Sequence, residues 1–508
     1  MHDAASSFDS LYASGVAQLL TERLVADMET AVSASMKLAR LGGPTFLLES
    51  VEGGAVRGRY SMIGLIPDLI WRARDGKATI NRQALHQSDA FEALCDPPLE
   101  SLRALIRESA IPVRDDLAEA LPTMAAGLFG YLGYDMVREM ERLPKAKPDT
   151  IGTPDSIFIR PTIMVIFDSV RDEMMIVTPV RVKAGVTAKM AREAAQERID
   201  AVINCLETPL PRMAESASVE TTSMSHGHSN TSQARYLEMV EAAKEYIRAG
   251  DIFQVVLSQR FSSPFTLGGF ALYRALRRVN PSPYLCYLHF GDFEIVCSSP
   301  EILVKLRDGK VTIRPIAGTR PRGDNRMEDI RLGEELLADE KERAEHLMLL
   351  DLGRNDVGRV SEIGSVTVTD SFFLERYSHV MHIVSNVEGT IRNGLDALDA
   401  LTAGFPAGTV SGAPKVRAME IIDALETDRR GIYAGCIGYF GADGSMDTCI
   451  VLRTAIVKDG MMHVTAGAGI VYDSSPIAEY DECINKSKAL FRAAEEAGRF
   501  AAKVKRGQ

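Results

Sequence analysis

The sequence has little of what would place it in a membrane or on a nucleic acid. No apolar run approaches the roughly 18 residues that a bilayer span needs; the stretch "IMVIF" at 163–167 stops at Asp168. Positive charge is in deficit, with 58 Lys and Arg against 69 Asp and Glu and a formal net charge of −11. Nucleic-acid binding by counterion release needs the opposite balance. The seven Cys, at 95, 205, 286, 297, 436, 449 and 483, form no C-x-x-C pair. This scatter argues against a disulfide frame or a zinc site and fits reduced thiols in a cytoplasm. The start, "MHDAASSFDS", lacks the basic and apolar regions of a secretion signal. "FPAGTVSGAPK" at 405–415 misses the phosphate-loop spacing, because Gly408 and Gly412 are four apart and Ala413-Pro414 precedes Lys415. The expectation is a cytoplasmic protein with no nucleic-acid and no membrane partner.

What is present is an ordinary globular composition over 508 residues, 46% hydrophobic and 25% charged. Segments such as "GPTFLLES", "DLIWRARDGKATI" and "IRPTIMVIFDSVRDEMMIVTPV" alternate with turns and predict antiparallel strands. "AFEALCDPPLESLRALIRE" and "VTAKMAREAAQERIDAVINCL" carry helical apolar spacing. The mixture predicts an α+β fold. The sharpest composition break, at 207–232, is rich in Ser, Thr and Pro and reads as a linker or surface excursion between residues 1–206 and 233–508. After it, Tyr236, Val240, Ala243 and Ile247 share one helical face that Gly250 terminates. "IFQVVLSQRF" follows as a strand with Phe253, Val255, Leu257 and Phe261 on one side and Gln254, Ser258 and Arg260 on the other. "EILVKLRDGKVTIRPIAG" predicts a hairpin turning at Asp308-Gly309. No internal repeat is present.

Several constellations could carry chemistry. Glu345 and Glu482 sit on separate predicted helices among apolar neighbours, a donor pair suited to Mg²⁺ with retained waters. Arg453, in the predicted strand "DTCIVLRTAIV", needs a carboxylate partner. Gly467 and Gly469 flank Ala468 where backbone can approach a ligand closely. His379 and His382 fall one turn apart if "RYSHVMHIVSNVEG" is helical, and Glu301 ends an apolar strand where burial would raise its proton affinity. "TIRPIAGTRPRG" at 312–323 surrounds a chemically blank centre, Ala317, with three Arg. An ordinary structural role would explain each of these alone.

Together, and in order, "YIRAGDIFQVVLSQRF", "NPSPYLCYL", "SSPEILVK", "RPIAGTRPRG", "AEHLMLLDLGRNDVGRV", "RYSHVMHIVSNVEG", "FPAGTVSGAPKVRAMEII", "GIYAGCIGYF" and "TAGAGIVYDSSPIAEYDE" resemble the chorismate-utilising enzymes, specifically the large component of anthranilate synthases. "FLLES", "GRYSMIG" and "GLFGYLGYD" extend the resemblance toward the N-terminus. It implies a layered sandwich of two antiparallel sheets packed with helices, with 233–508 as the catalytic domain and 1–206 contributing to an effector site. It further implies Glu345 and Glu482 as Mg²⁺ ligands, and Arg453, Tyr433, Gly318, Thr319 and Gly467, Ala468 and Gly469 around the substrate carboxylates. Glu301 would be the acid that protonates the departing C4 hydroxyl, and His382 the base that takes the C2 proton.

Relatives that make aminodeoxychorismate carry a lysine where this chain has Ala317, and isochorismate and salicylate synthases carry one where it has Gln254. With both absent, the resemblance implies ammonia as nucleophile, giving anthranilate and pyruvate from chorismate. No G-x-C-x-G elbow surrounds Cys436, so a separate glutamine amidotransferase subunit is implied, in an assembly of two large and two small subunits. Feedback inhibition by L-tryptophan is implied at Glu49, Ser50, Pro283, Tyr284 and Leu285. Aminodeoxyisochorismate synthase, aminodeoxychorismate synthase and a non-catalytic tryptophan sensor are the competing readings.

Overall fold

The computed structural model describes residues 2–52, 56–112, 122–144, 146–211, 227–377 and 380–502. Two long strands, Tyr60–Arg74 and Ser156–Asp168, pair antiparallel and bend together where the register shifts between Pro67 and Leu69. Pro67 faces Pro161 at the bend, and Ile66 has φ 49°. Proline has no N–H to give a ladder, so the hydrogen bonding is interrupted where the strands change direction.

Two arms extend from this bend. The first runs through Thr45–Glu49, Tyr284–His289, Phe293–Ser299, Thr454–Lys458, Met461–Ile470 and Gln254–Pro264. The second runs through Gly127–Leu132, Cys436–Gly441, Met446–Ile450, Ile302–Arg307, Lys310–Ile313 and Val380–Thr390, with Ile316–Pro321 and Thr367–Arg376 also paired to the last. The predicted α+β class holds, and the two expected antiparallel sheets are arms of one 22-stranded network. Strands from both sides of 207–232 are hydrogen-bonded neighbours in each arm. Residues 212–226 of that excursion lie outside the described residues.

Strand alternation builds the core twice. Phe46, Leu48, Cys286, Ile295 and Cys297 of the first arm meet Phe129, Tyr131, Ile437, Tyr439 and Cys449 of the second in one apolar layer. Their alternate neighbours Leu47, Leu285, Val296, Leu128, Phe440 and Ile450 belong to the larger core formed with the helices. Helix Pro476–Ala502 packs on Gln233–Arg248, Gly269–Val279 and the 461–470 strand. Helix Glu340–Gly358 lies on the strands 316–321 and 380–390.

The chain crosses between the arms at Pro300–Glu301 and returns at 451–453. The two crossings are tied together: Ile450 N–H donates to the Glu301 carbonyl at 3.0 Å, and Ser298 N–H donates to the Arg453 carbonyl at 3.2 Å. Arg453 has φ 48°, an uncommon left-handed conformation for a side-chain-bearing residue.

Four local expectations are corrected. The sequence 90–108 is not one helix: Glu92–Ala93 is a short strand, and the helix begins at Pro98, after Pro97, because proline suits a helix start and disfavours helix before it. Phe253 precedes its strand and is 72% exposed. "DTCIVLRTAIV" is broken at 451–453, so Arg453 sits on a crossing. His382 lies on the strand Val380–Thr390 and not on a helix; His379 lies outside the described residues.

A Cβ at Gly130 would stand 1.9 Å from the Ile157 carbonyl oxygen, whereas one at Gly358 would meet nothing within 4 Å. Gly130→Ala is expected to destabilise the protein by about 1–3 kcal/mol, read as a lower thermal unfolding midpoint, while Gly358→Ala leaves the midpoint unchanged or higher.

Candidate active site

The crossings bring Glu301 and Arg453 to one place. Glu301 is buried, and its Oε1 accepts a hydrogen bond from the Thr409 hydroxyl at 2.9 Å. Burial pushes its carboxyl up to about 8, against the opposing influence of the Thr409 hydroxyl, the Ile316 N–H and the Arg453 charge. The Arg453 guanidinium has no carboxylate partner in an ion pair among the described residues, contrary to the expectation. Burial holds its proton affinity below the ordinary value, with Tyr377 and Glu301 opposing.

His382, on the second arm, is buried, and its Nδ1 lies 2.8 Å from the Gly318 carbonyl and 3.1 Å from the Thr319 hydroxyl. A carbonyl only accepts, so Nδ1 carries the proton and Nε2 keeps its lone pair. Burial pushes the ring down to about 4, with the Gly318 bond opposing. Tyr377 packs edge-on at 5.6 Å between ring centroids. Gly318 adopts φ +68°, and a Cβ there would lie 3.2 Å from Glu342 Oε2.

The carboxylates gather opposite. Glu345 accepts from Gln254 Nε2 at 3.3 Å, and burial raises its proton affinity, with Glu342 and Glu482 adding to the effect. Gln254 Oε1 is buried without a partner. Gly469 passes close to the same amide, where a Cβ would stand 2.6 Å from Nε2. Glu482 is exposed and pairs with Lys486 at 2.7 Å, and Lys486 also donates to the Gly467 carbonyl at 3.0 Å. A Cβ on Gly467 would lie 2.9 Å from the Tyr433 hydroxyl. Ala468 is fully buried and faces Leu257 across the ladder. Glu342 and Glu479 lie one helical turn before Glu345 and Glu482; Glu342 raises the proton affinity of Glu345, and Glu482 raises that of both Glu345 and Glu479. Their i, i+3 spacing in "EKERAEH" and "AEYDECINK" was the signal that picking single acids missed. The four carboxylates offer oxygen donors of the kind Mg²⁺ takes, but no three of these oxygens lie within 4.8 Å of one another, because Glu342 is turned to Arg320 and Glu482 to Lys486.

Arg430 was also missed. It is buried, paired with Glu426 at 2.6 Å, and bonded to the Val410 and Val256 carbonyls. Its guanidinium lies 5.7 Å from the centre of the Tyr433 ring and fixes that ring's position. The arginines of 312–323 are structural: Arg314 pairs with Glu375, Arg320 with Asp339 and Glu342, and Arg322 with Asp329.

A cavity of about 310 Å³ between the arms is lined by Glu49, Ser50, Pro283 and Tyr284 together with Cys286 and Asp447. Leu285 does not line it; its side chain points into the opposite core layer, because strand alternation gives the inward position to Cys286. The Glu49 carboxylate is already held by Arg277 at 2.7 and 2.8 Å and by the Tyr273 hydroxyl at 2.6 Å. Tyr284 donates to Asp447 at 2.9 Å.

Comparison with known proteins shows the family. Residues 67–492 match the family model described as chorismate binding enzyme. The chain is 53% identical over 501 residues to anthranilate synthase component 1 of Cereibacter sphaeroides, covering 99% of both chains. It is 48% identical over 473 residues to that of Thermus thermophilus, covering 93% of this chain and 97% of the relative. Among solved structures, anthranilate synthase component I from Streptococcus pneumoniae superposes with a TM-score of 0.73 at 39% identity, covering 85% of this chain and 92% of that one. The menaquinone-specific isochorismate synthase of Escherichia coli, at 18% identity and a TM-score of 0.68, shares the fold. With a neutral buried acid, an unpaired arginine, a histidine and a carboxylate cluster around one centre, and matches that span the chain almost end to end, this protein belongs to the chorismate-binding enzyme family, among the anthranilate synthase component 1 proteins.

Proposed function

We propose that the protein converts chorismate and ammonia to anthranilate, pyruvate and water, as the large subunit of an anthranilate synthase. The observation that carries this reading is the meeting of Glu301, Arg453 and His382 where the arms cross, with no lysine at 254 or 317 to supply another nucleophile. Arg453, lacking a carboxylate of its own, is free to take one from the substrate, and Tyr433 with the backbone of Gly318, Thr319 and 467–469 lines the same region. Glu301, neutral near pH 7, gives its proton to the leaving C4 hydroxyl as ammonia bonds to C2. Gln254 cannot deprotonate water, and its unpartnered Oε1 is an acceptor for an ammonia N–H. His382 Nε2 then takes the C2 proton as the enolpyruvyl group departs, and the ring becomes aromatic. Glu345 and Glu482, with Glu342 and Glu479, would hold Mg²⁺, which supplies positive charge against the substrate carboxylates.

Ammonia would come from a separate glutamine amidotransferase, in an assembly of two large and two small subunits. L-Tryptophan would inhibit by filling the cavity beside Ser50, Pro283 and Tyr284. The cavity's lining from both arms supports control through their packing. No described helix is long and apolar enough to cross a membrane, in keeping with the proposed cytoplasmic location.

Purified chain given chorismate, Mg²⁺ and ammonium is expected to release anthranilate and pyruvate in equal amounts, suppressed by L-tryptophan; chorismate loss without pyruvate would refute this assignment. Glu301 works protonated and His382 works neutral, so kcat/KM should rise as pH climbs through about 4 and fall as it passes about 8. Glu301→Gln should lower kcat by roughly 10²–10⁴ and remove the alkaline limb from the pH profile. His382→Gln should still consume chorismate but accumulate an amino intermediate, detected by mass, with pyruvate release lost.

A further inference from the structure

Cys286, Cys297 and Cys449 come from three strands, and their sulfur atoms all lie within 4.8 Å of one another. Cys286 faces Cys297 directly across the ladder of the first arm, and Cys449 reaches them from the second. Their exposures are 3%, 0% and 0%, and none is disulfide-bonded. The proposed reaction uses none of them.

The donor set is selective. Hard cations favour oxygen, whereas thiolates hold soft or borderline ions. With metal–sulfur bonds of about 2.3 Å, the sulfurs of a trigonal or tetrahedral thiolate set stand about 4 Å apart, within the 4.8 Å that bounds their separations here. An entry path exists because Cys286 lines the cavity of about 310 Å³. Lys305 and Arg314 line the same cavity, but they are paired with Asp447 and Glu375; the Cys297 thiol, burial and the Asp447 charge hold the Cys286 proton on, so an ion must displace it to bind. Scattered positions 286, 297 and 449 gave no C-x-x-C signal because the sulfurs meet only through strand pairing and the packing of one arm on the other.

We propose that Cys286, Cys297 and Cys449 form a three-thiolate site for a thiophilic d¹⁰ cation, Zn²⁺ or Cu⁺, entered from the cavity between the arms. On binding, each coordinating thiol releases its proton to solvent and its sulfur donates an electron pair to the ion, with no change in oxidation state. Cys297 Sγ otherwise donates to the Leu452 carbonyl at 3.7 Å. Coordination ends that bond in the residue before Arg453, so a bound ion acts on the crossing that carries the guanidinium.

The test is a titration of the reduced, metal-stripped full chain with Cd²⁺, following thiolate-to-cadmium charge-transfer absorption. The expected band saturates at one ion per chain, is lost in Cys286→Ala and Cys449→Ala, and is kept in Cys95→Ser. No band, or a full band in either alanine variant, overturns the proposal. A readout independent of any variant is X-ray absorption of the native chain loaded with one equivalent of Zn²⁺. Three sulfur scatterers near ~2.3 Å support the site, and a shell of nitrogen and oxygen alone overturns it.

Discussion

The backbone bonds that join the two crossings organise the molecule. A chain that passes between sheets must leave one ladder and enter another, and the amides freed in passing need partners. Here each crossing answers the other: the Glu301 carbonyl accepts from Ile450, and the Arg453 carbonyl accepts from Ser298. The two residues are therefore held at a separation fixed by main chain, independent of either side chain's rotamer. An acid and a cation so placed need no direct ion pair, which leaves both available to a ligand.

Burial then acts differently on each group. It makes Glu301 a better proton holder and His382 a weaker one, so near neutral pH both are uncharged while Arg453 keeps its charge. The site thus presents net positive character on the side of the crossings, with the negative groups gathered on the two helices opposite. Positive and negative groups thus come to this region from different elements, and the fold rather than a direct ion pair keeps them apart.

Much of this was legible in the sequence. The runs 45–49, 60–74, 156–168 and 302–313 are apolar stretches bounded by turns, and Asp308-Gly309 turns where its residue types predict. Glu301, His382, Gln254 and Glu345 stand out because ordered motifs carry them. What stayed hidden depends on contact. Arg453 reads as a strand residue, because nothing in "IVLRTAIV" announces a left-handed φ imposed by a change of sheet. Leu285 and Cys286 are adjacent and both apolar, so only register decides which one faces the cavity. The helix expected over 90–108 failed because two adjacent prolines outweigh the apolar period around them.

The facing prolines at 67 and 161 have a consequence beyond local geometry. Where two N–H groups are missing, the two arms diverge without leaving a ladder donor unpaired there. The cavity beside Tyr284 takes walls from both arms, with Leu48 and Cys286 from one and Ile437 and Asp447 from the other. Pro300, the residue before Glu301, lines it as well, so the cavity and the crossing that carries the acid share a wall.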